Sequence, residues 1–371
     1  MKSTRAVALN CRFSGTLQPT GTQTAAFALF DAIIRLPERD IPLVVIADPK
    51  FPGVAAWAEV RDVTLVSVPF SEWSRGKAQA WEQFALPALC RKLRCGVAHH
   101  PITTSPFLSW GVKSIVTLHD LNFLKHPEWY SRSFRAVYSF TAVPGLLRAP
   151  RIVAISDYVR NEAGQRLGLE PERLRRVYNG VRFATDGGPF ARSDIPYVLC
   201  VGSLQPHKNL PRLILAYREL RQRRADLELW IVGRPQGGFS EMPELRELMG
   251  TPGLKMLGYL TDQELRAAYA NALVFCYPSI EEGFGLPMVE AMMCGTLVVA
   301  SNASCLPEIA GGHAELVDPF SPEAIAAGIQ AVLDLTPRER DDRIRRARGW
   351  AECFTWQTAA WQYLCIYQEL L

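Results

Sequence analysis

The sequence predicts an α/β protein of two doubly wound domains, each a parallel sheet with helices on both faces. Three observations lead there. At 371 residues the chain exceeds one ordinary core, and length alone favours two domains of about 150 to 200 residues. Apolar runs of strand length alternate with amphipathic stretches of helix length from end to end, the pattern of parallel sheets joined by crossover helices. The runs also divide evenly between the two halves.

In the first half the expected strands are residues 6–9, 43–46, 63–68, 97–99, 114–117 and 151–155. In the second half they are 197–201, 228–232, 255–257, 273–277, 297–300 and 314–316. Between the halves, residues 184–196 are rich in Gly, Pro and Asp and lack an apolar period, which marks a linker. The domains are accordingly read as 1–187 and 188–345. Residues 337–371 continue in helical pattern and end rich in aromatics. A terminal helix over 346–371 that left Trp356, Trp361 and Tyr367 in water would be costly, so it is expected to pack back toward the first domain.

The composition is that of an ordinary globular protein, 48% hydrophobic and 21% charged. The apolar run at 6–9 is too short for a signal-peptide core. The longest runs, such as 197–202 and 272–277, fall far short of the roughly 20 residues that span a bilayer. A chain without an export signal, soluble or peripheral to a membrane, is expected, which argues against a secreted two-lobed solute-binding protein. Nine cysteines, several inside apolar runs and none spaced Cys-x-x-Cys, read as thiols of a reducing cytoplasm. An NAD-dependent dehydrogenase would share the architecture, but Asn10-Cys-Arg-Phe-Ser-Gly-Thr after the first strand lacks the dinucleotide-binding glycine spacing.

The net charge of +4 conceals an asymmetry: residues 1–190 hold 24 Lys+Arg against 15 Asp+Glu, and the remainder 17 against 22. One half is basic and the other acidic, so an anionic partner should meet the first half.

Ligands of open α/β sheets bind beyond the carboxyl ends of the strands, and a pair of such domains offers a second crevice between them. The strand at 273–277 is followed by Pro-Ser-Ile-Glu-Glu-Gly-Phe-Gly, then by a short helix with Pro287 in its first turn and Gly295 just past its end. Gly283 and Gly285 let backbone N–H groups approach a ligand, and the helix start near Leu286 makes an anion site fit for a phosphate. Glu290, about one turn into the helix, can accept hydrogen bonds from a sugar diol. Glu282 lies on the other side of the anion site, so the two acids bracket a phosphate. Glu281 falls outside this spacing and is expected to be solvated.

The stretch Glu282-Gly-Phe-Gly-Leu-Pro-Met-Val-Glu290, with Ala-Met-Met-Cys-Gly-Thr-Leu-Val-Val-Ala300 and Pro307-Glu308 after it, resembles the Glu-x7-Glu signature of family-4 retaining glycosyltransferases with the GT-B fold. The resemblance runs through most of the chain. Val201-Gly-Ser-Leu-Gln-Pro-His-Lys-Asn-Leu210, Ile231-Val-Gly233, Leu257-Gly-Tyr-Leu260, Thr117-Leu-His-Asp120, Val153-Ala-Ile-Ser-Asp157 and Val177-Tyr-Asn-Gly-Val181 all fall where that family has matching segments.

The resemblance implies a role for each residue. Lys208 would hold the donor diphosphate, Glu290 would bind the ribose and Glu282 the transferred sugar. Amides at Phe284, Gly285 and Leu286 would face the diphosphate and sugar, with Gly21 opposite and Gly233 also among the donor-binding positions. His119 would sit beside the reacting carbon, and Tyr259 and Leu260 would flank the base. One departure stands out: many members carry Arg where this chain has Ser203, so Lys208, helped by His207, would supply most of the cationic field.

The expected reaction needs no metal, since there is no Asp-x-Asp and no cluster at ligand spacing; Lys208 and the helix N-terminus take the metal's place. The acceptor hydroxyl would attack the face from which the diphosphate leaves, and the anomeric configuration would be retained. A covalent intermediate on Glu282 is the weaker version. A sugar-nucleotide epimerase of the same fold remains the alternative. The likeness to bacterial mannosyl- and rhamnosyltransferases of surface polysaccharide assembly makes GDP-mannose the first donor to consider, ahead of UDP-, ADP- and dTDP-sugars. The first domain would hold the acceptor, a polyprenyl-diphosphate-linked saccharide at the inner face of the plasma membrane; no nucleic acid partner is expected. Arg91-Lys-Leu-Arg94 and the stretch from Trp129 through Arg135 to Arg148 and Arg151 mix cations with aromatics, as peripheral membrane segments do.

Overall fold

The computed structural model describes residues 5–15, 20–37, 39–181, 195–234 and 243–371. The boundary expected at 187/188 and nearly all of the linker expected at 184–196 lie outside the described residues. The chain forms two compact units: one of Met1–Leu121, Ser133–Gly180 and Thr355–Leu371, the other of Asn122–Arg132 and Val181–Phe354.

The first unit is built on a seven-stranded, wholly parallel sheet: β1 (Ala6–Asn10), β2 (Leu43–Ala47), β3 (Val63–Ser67), β4 (Cys95–His100), β5 (Lys113–Leu118), β6 (Arg151–Ala154) and β7 (Leu174–Arg176). The spatial order is β3-β2-β1-β4-β5-β6-β7, so the winding reverses between β1 and β4. β1, β2 and β4 are buried along their whole length, which is why they read as continuous apolar runs rather than alternating ones. β7 departs from the six expected strands. Leu-Arg-Arg carries no apolar run, and at the sheet edge it needs none.

The helix Gly21–Ile34 begins with a capping box between Thr20 and Gln23 and buries Leu29, Phe30 and Ile33 in the first core. Against it packs the last helix, Trp356–Leu370. Residue 346, the expected start of the terminal segment, falls inside Pro337–Ala351, which stays with the second unit. The last helix buries Tyr363, Leu364, Ile366 and Tyr367 in the first core, each such side chain worth about 1.5–3 kcal/mol. Its hydroxyls are satisfied there: Tyr363 meets Thr117 Oγ1 at 2.7 Å, and Tyr367 meets His99 Nδ1 at 2.5 Å.

The second unit has six parallel strands, β8 (Tyr197–Val201), β9 (Glu228–Val232), β10 (Leu254–Gly258), β11 (Val274–Tyr277), β12 (Val298–Ser301) and β13 (Glu315–Val317), in the order β10-β9-β8-β11-β12-β13. The winding reverses between β8 and β11. Such a reversal opens a crevice beyond the strand ends, because the connections on its two sides run in opposite directions. All nine cysteines are free; Cys353 and Cys365 are exposed rather than core thiols. Among the described residues no helix is long and apolar enough to cross a membrane.

Candidate functional site

The crevice of the second sheet lies between the loops that leave β8 and β11, and both carry predicted residues. After β8 the chain passes Gly202 and the half-buried Ser203, then makes a short turn, Pro206–Lys208, closed by Asn209 in the left-handed region at φ 58°. The Asn209 side chain donates to Pro278 O at 3.0 Å, and Ile280 N donates to His207 O at 2.8 Å. The two loops are thereby fastened together. The ends of β8, β9 and β10 are drawn in by Gly202 N to Val232 O and Gly233 N to Gly258 O, at 2.9 and 2.8 Å. Gly233 must be glycine: a Cβ there would lie 1.8 Å from Gly202 O.

Within this frame Lys208 Nζ donates to Glu282 Oε1 at 2.6 Å and to the Tyr277 hydroxyl at 2.8 Å, and it lies 5.1 Å from the centre of the Tyr277 ring. Both charged side chains are mostly buried, at 13% and 12% exposure. Burial works to raise the Glu282 carboxyl, but the Lys208 charge and the hydrogen bonds from Lys208 and Tyr277 outweigh it and hold it below the usual range. Burial pushes the Tyr277 phenol well above its ordinary value, and the Glu282 charge adds to this. The pair is therefore a carboxylate beside a neutral phenol. Glu282 N donates to Ser304 Oγ at 3.1 Å, which fixes the backbone of the loop.

The loop ends at Gly285, whose φ of 89° favours glycine and which caps the helix Leu286–Met293, with Pro287 in its first turn. Phe284 is buried with its ring edge-on to Phe354 at 5.6 Å, so its side chain anchors the loop. Glu290 is buried on the helix and accepts from the Tyr269 hydroxyl at 3.1 Å. Tyr259, 63% exposed, has the Arg234 guanidinium over its ring at 5.0 Å, with half-buried Leu260 next in sequence. The structure thus gathers Lys208 and Glu282 into direct contact and sets Ser203, Gly233, Gly285, Leu286 and Glu290 on neighbouring strand ends and the adjoining helix.

Two expectations are corrected. Glu281 is not solvated: it is 5% exposed and its Oε2 takes Lys125 Nζ at 2.7 Å. Buried carboxylates need such a partner. His207 adds no positive charge, because burial, with Lys208 next to it, lowers its pKa to about 3. Of His207 and Lys208, only the lysine can supply a cation. Sequence reasoning also passed over Tyr277, Asn209, Ser304 and Lys125. Tyr277 and Asn209 border predicted residues; Ser304 and Lys125 carried no local signal.

Gly21 and His119 belong to the first unit. Gly21 is the exposed first residue of its helix, and open space lies where a Cβ would project. His119 follows β5 and donates from Nε2 to Pro101 O at 2.8 Å, leaving Nδ1 with the lone pair. Burial lowers its pKa to about 4, so the ring is neutral at physiological pH. The expected basic surface is also revised. Arg151 is only 13% exposed and pairs with Glu369 at 3.0 Å, and the Trp129 ring stacks on His126. Exposed Arg132, Arg135 and Arg148 remain on the helix Arg132–Arg148. Among the described residues no group of three or more His, Cys, Asp or Glu side chains is placed to hold a metal ion.

Residues 26–185 match the family described as "Glycosyltransferase Family 4", and residues 187–350 match "Glycosyl transferases group 1". O-antigen chain mannosyltransferase B of Escherichia coli is 30% identical over 275 residues, 70% of this chain and 71% of that protein. The MMP alpha-(1->4)-mannosyltransferase of Mycolicibacterium hassiacum is 31% identical over 284 residues, 74% of this chain and 64% of that one. Among solved structures, sucrose-phosphate synthase of Thermosynechococcus elongatus superposes with a TM-score of 0.73 at 20% identity over 99% of both chains. The Anabaena protein Alr3699/HepE, solved with UDP and glucose, superposes with a TM-score of 0.69 at 20% identity over 100% of both. The chain belongs to the family-4 glycosyltransferases and has the GT-B fold.

Proposed function

We propose that the chain transfers a sugar, with retention of anomeric configuration and without a metal, from a nucleotide-sugar donor to a lipid-linked saccharide in bacterial surface-polysaccharide assembly. The observation that carries the reading is the Lys208–Glu282 pair at the winding reversal of the second sheet, beside the N-terminus of Leu286–Met293. Cleavage of the bond between the anomeric carbon and the diphosphate oxygen leaves the electron pair on the departing diphosphate. Lys208 and the free amides at Gly285 and Leu286 would counter that charge where a metal does in other enzymes. Glu282 would accept hydrogen bonds from the transferred sugar and orient Lys208, and Glu290 would hold the ribose. The acceptor hydroxyl would bond to the anomeric carbon on the leaving face, its proton passing to a diphosphate oxygen. His119, neutral, would act near the reacting carbon by hydrogen bonding rather than by charge.

The mannosyltransferase relatives favour GDP-mannose as the first donor to test, ahead of UDP-, ADP- and dTDP-sugars. The test is a screen of these donors with a lipid-linked saccharide from bacterial membranes, comparing wild type with Glu282→Gln. Transfer by the wild type with a loss of about a hundredfold or more in the variant is expected. Near-normal transfer by the variant would sink the role of Glu282, and isomerisation of the donor without transfer would make the protein an epimerase.

An anionic membrane, at the cytoplasmic face, is the proposed partner of the first unit. The helix Arg132–Arg148 exposes Val137, Phe140 (78%) and Leu147 beside Arg132, Arg135 and Arg148. Cations with apolar side chains on one helix suit an interfacial position. The protein should sediment with liposomes containing phosphatidylglycerol at low salt; equal sedimentation with phosphatidylcholine liposomes would remove the electrostatic part.

A further inference from the structure

The segment Asn122–Arg132 lies in the first half of the sequence, between β5 and β6, yet it belongs to the second unit. It leaves the first unit three residues after His119 and returns to it at Ser133. What it touches in the second unit is specific. Lys125 Nζ donates to Glu281 Oε2 at 2.7 Å, with His126 Nε2 3.7 Å from the same carboxylate. The His126 ring stacks on Trp129 at 3.8 Å and 15°, and Trp129 in turn lies against His207, ring centres 5.8 Å apart. Glu281 immediately precedes Glu282, and His207 immediately precedes Lys208. Two contacts of one short segment therefore fall on the neighbours of both members of the donor-site pair.

We infer that Asn122–Arg132 is a positioning strap for the donor site: Lys125 fixes the loop that carries Glu282, and Trp129 fixes the turn that carries Lys208. The inference rests on the reading of Lys208 and Glu282 given above. The physical reason lies in the burial of Glu281, whose side chain is 6% exposed while that of Lys125 is 24% exposed. A carboxylate so buried stays inward only while a cation and hydrogen bonds meet it. If Lys125 is lost, the carboxylate gains by turning toward water, and the adjoining peptide turns with it. That peptide carries Glu282, whose contact with Lys208 spans only 2.6 Å. Displacements of about 1 Å in such a constellation cost on the order of a hundredfold in rate. The hydrogen bond from Ile280 N to His207 O joins the two strapped loops, so a shift in one is felt in the other. Lys125 and Trp129 act through Glu281 and His207, the neighbours of Glu282 and Lys208, and are positioning residues rather than catalytic ones.

The experiment uses the full-length protein and the nucleotide sugar, among GDP-mannose, UDP-glucose, ADP-glucose and dTDP-rhamnose, from which the wild type releases nucleotide fastest. Turnover, KM and Tm are measured for Lys125→Met, Lys125→Arg, the double variant Lys125→Met/Glu281→Gln, and Glu282→Gln. Lys125→Met should lower kcat between about tenfold and a hundredfold with KM within about threefold of wild type. Lys125→Arg should recover most of the loss, since it keeps the charge. The double variant also removes the buried charge that has lost its lysine, so its Tm should return to near the wild-type value while kcat stays low. If kcat returns together with Tm, the pair is only a fold stabiliser and the strap is refuted. If Lys125→Met turns over within about twofold of wild type while Glu282→Gln is inactive, the strap fails and the donor-site reading stands. An active Glu282→Gln would instead remove the reading on which the strap rests.

Discussion

The two sheets reverse their winding at corresponding places, between β1 and β4 in one unit and between β8 and β11 in the other, and load those places with opposite chemistry. At the first reversal the strand-end residues Asn10 and His100 join a buried polar cluster around Glu82. Asn10 Nδ2 donates to Glu82 Oε1 at 2.6 Å, Thr104 Oγ1 donates to Oε2 at 2.9 Å, and Arg12 Nε lies 3.2 Å away. Glu82 is 2% exposed and spends its lone pairs inside the protein. At the second reversal the buried lysine has one carboxylate and one phenol as its described partners, close to a helix N-terminus. A diphosphate could share that lysine, whereas both oxygens of the Glu82 carboxylate are already met by Asn10, Thr104 and Arg12. The contrast separates bulk charge from local charge. The basic half of the sequence keeps its strand-end histidines neutral, and the acidic half carries the buried cation suited to an anion.

The sharpest way to break this contrast is to delete one cation from each cluster. Lys208→Met should reduce turnover by about a hundred- to a thousandfold, because the loss falls on charge that develops during reaction, and it should also lower Tm, because the mostly buried Glu282 loses its cation. Arg12→Met should act on stability alone. It removes the cation beside the buried Glu82 and should destabilise the fold by about 2–4 kcal/mol, the cost of disrupting a buried charged network. The folded fraction should keep turnover within about threefold. Thermal melts and steady-state kinetics on the two variants decide it. If Arg12→Met abolishes turnover without lowering Tm, the first cluster belongs to the active machinery and the contrast collapses.

A weaker but broader effect is expected from acid. Burial drives His99 well below its ordinary pKa and takes His100 and His119 to about 4, all in the first unit. In the second unit burial takes His207 to about 3. An unfolded histidine titrates near 6.5, so below that pH the unfolded chain takes up protons that the folded one refuses. The stability from each neutral histidine is complete above about pH 6.5 and is lost as pH falls toward its folded value, by up to about 1.4 kcal/mol per pH unit. Carboxylates with lowered pKa, Asp48 and Glu282 among them, lose their contribution only at lower pH. Between pH 6.5 and 4.5 the first unit should therefore weaken more steeply than the second. Hydrogen exchange at pH 6.8 and 5.0, corrected for intrinsic rates, should show protection falling mainly in β4, β5 and the last helix. Equal losses in both units would count against it.

The same division explains what could be read in the sequence. Among the described residues, twelve of the thirteen strands were legible, and those covered on both faces, such as β1, β2 and β4, left unbroken apolar runs; β7, with Leu174 as its single apolar residue, left no signal. Glu282, Gly285, Pro287 and Glu290 were legible because one strand, one turn and one helix place them, and each step has local rules. Glu281 was not. That Glu281 turns inward beside Glu282 depends on a lysine 156 residues earlier, and no spacing within the loop records it. His207 was misjudged for a related reason. Its position before Lys208 was visible, but the burial that neutralises it comes from the fold and not from its neighbours in sequence. The bulk charge of the two halves was counted correctly, yet it does not say where a buried cation sits.

The smallest expected effect gives the finest test of the contrast, because it compares two buried hydroxyls that differ only in what they serve. Tyr277, at the end of β11, accepts from Lys208 at 2.8 Å; Tyr363, on the last helix, meets Thr117 Oγ1 on β5 at 2.7 Å. Both side chains are essentially inaccessible, at 1% and 2% exposure, so replacement by Phe keeps the packing and removes only the bonds of each hydroxyl. The loss at either place is about 1 kcal/mol. At Tyr277 it should appear in the rate. Lys208 loses a partner that helps hold its Nζ, and turnover should fall about two- to fivefold with Tm nearly unchanged, since the lysine keeps its 2.6 Å bond to Glu282. At Tyr363 the same energy should appear in stability, because Thr117 and His99 lose a member of a network that joins the last helix to the sheet. Tm should drop by a few degrees, roughly 2–4 °C for a domain of this size, and turnover should not change. Kinetics and melts on Tyr277→Phe and Tyr363→Phe, made side by side, would reverse the assignment of either hydroxyl if the two effects came out exchanged.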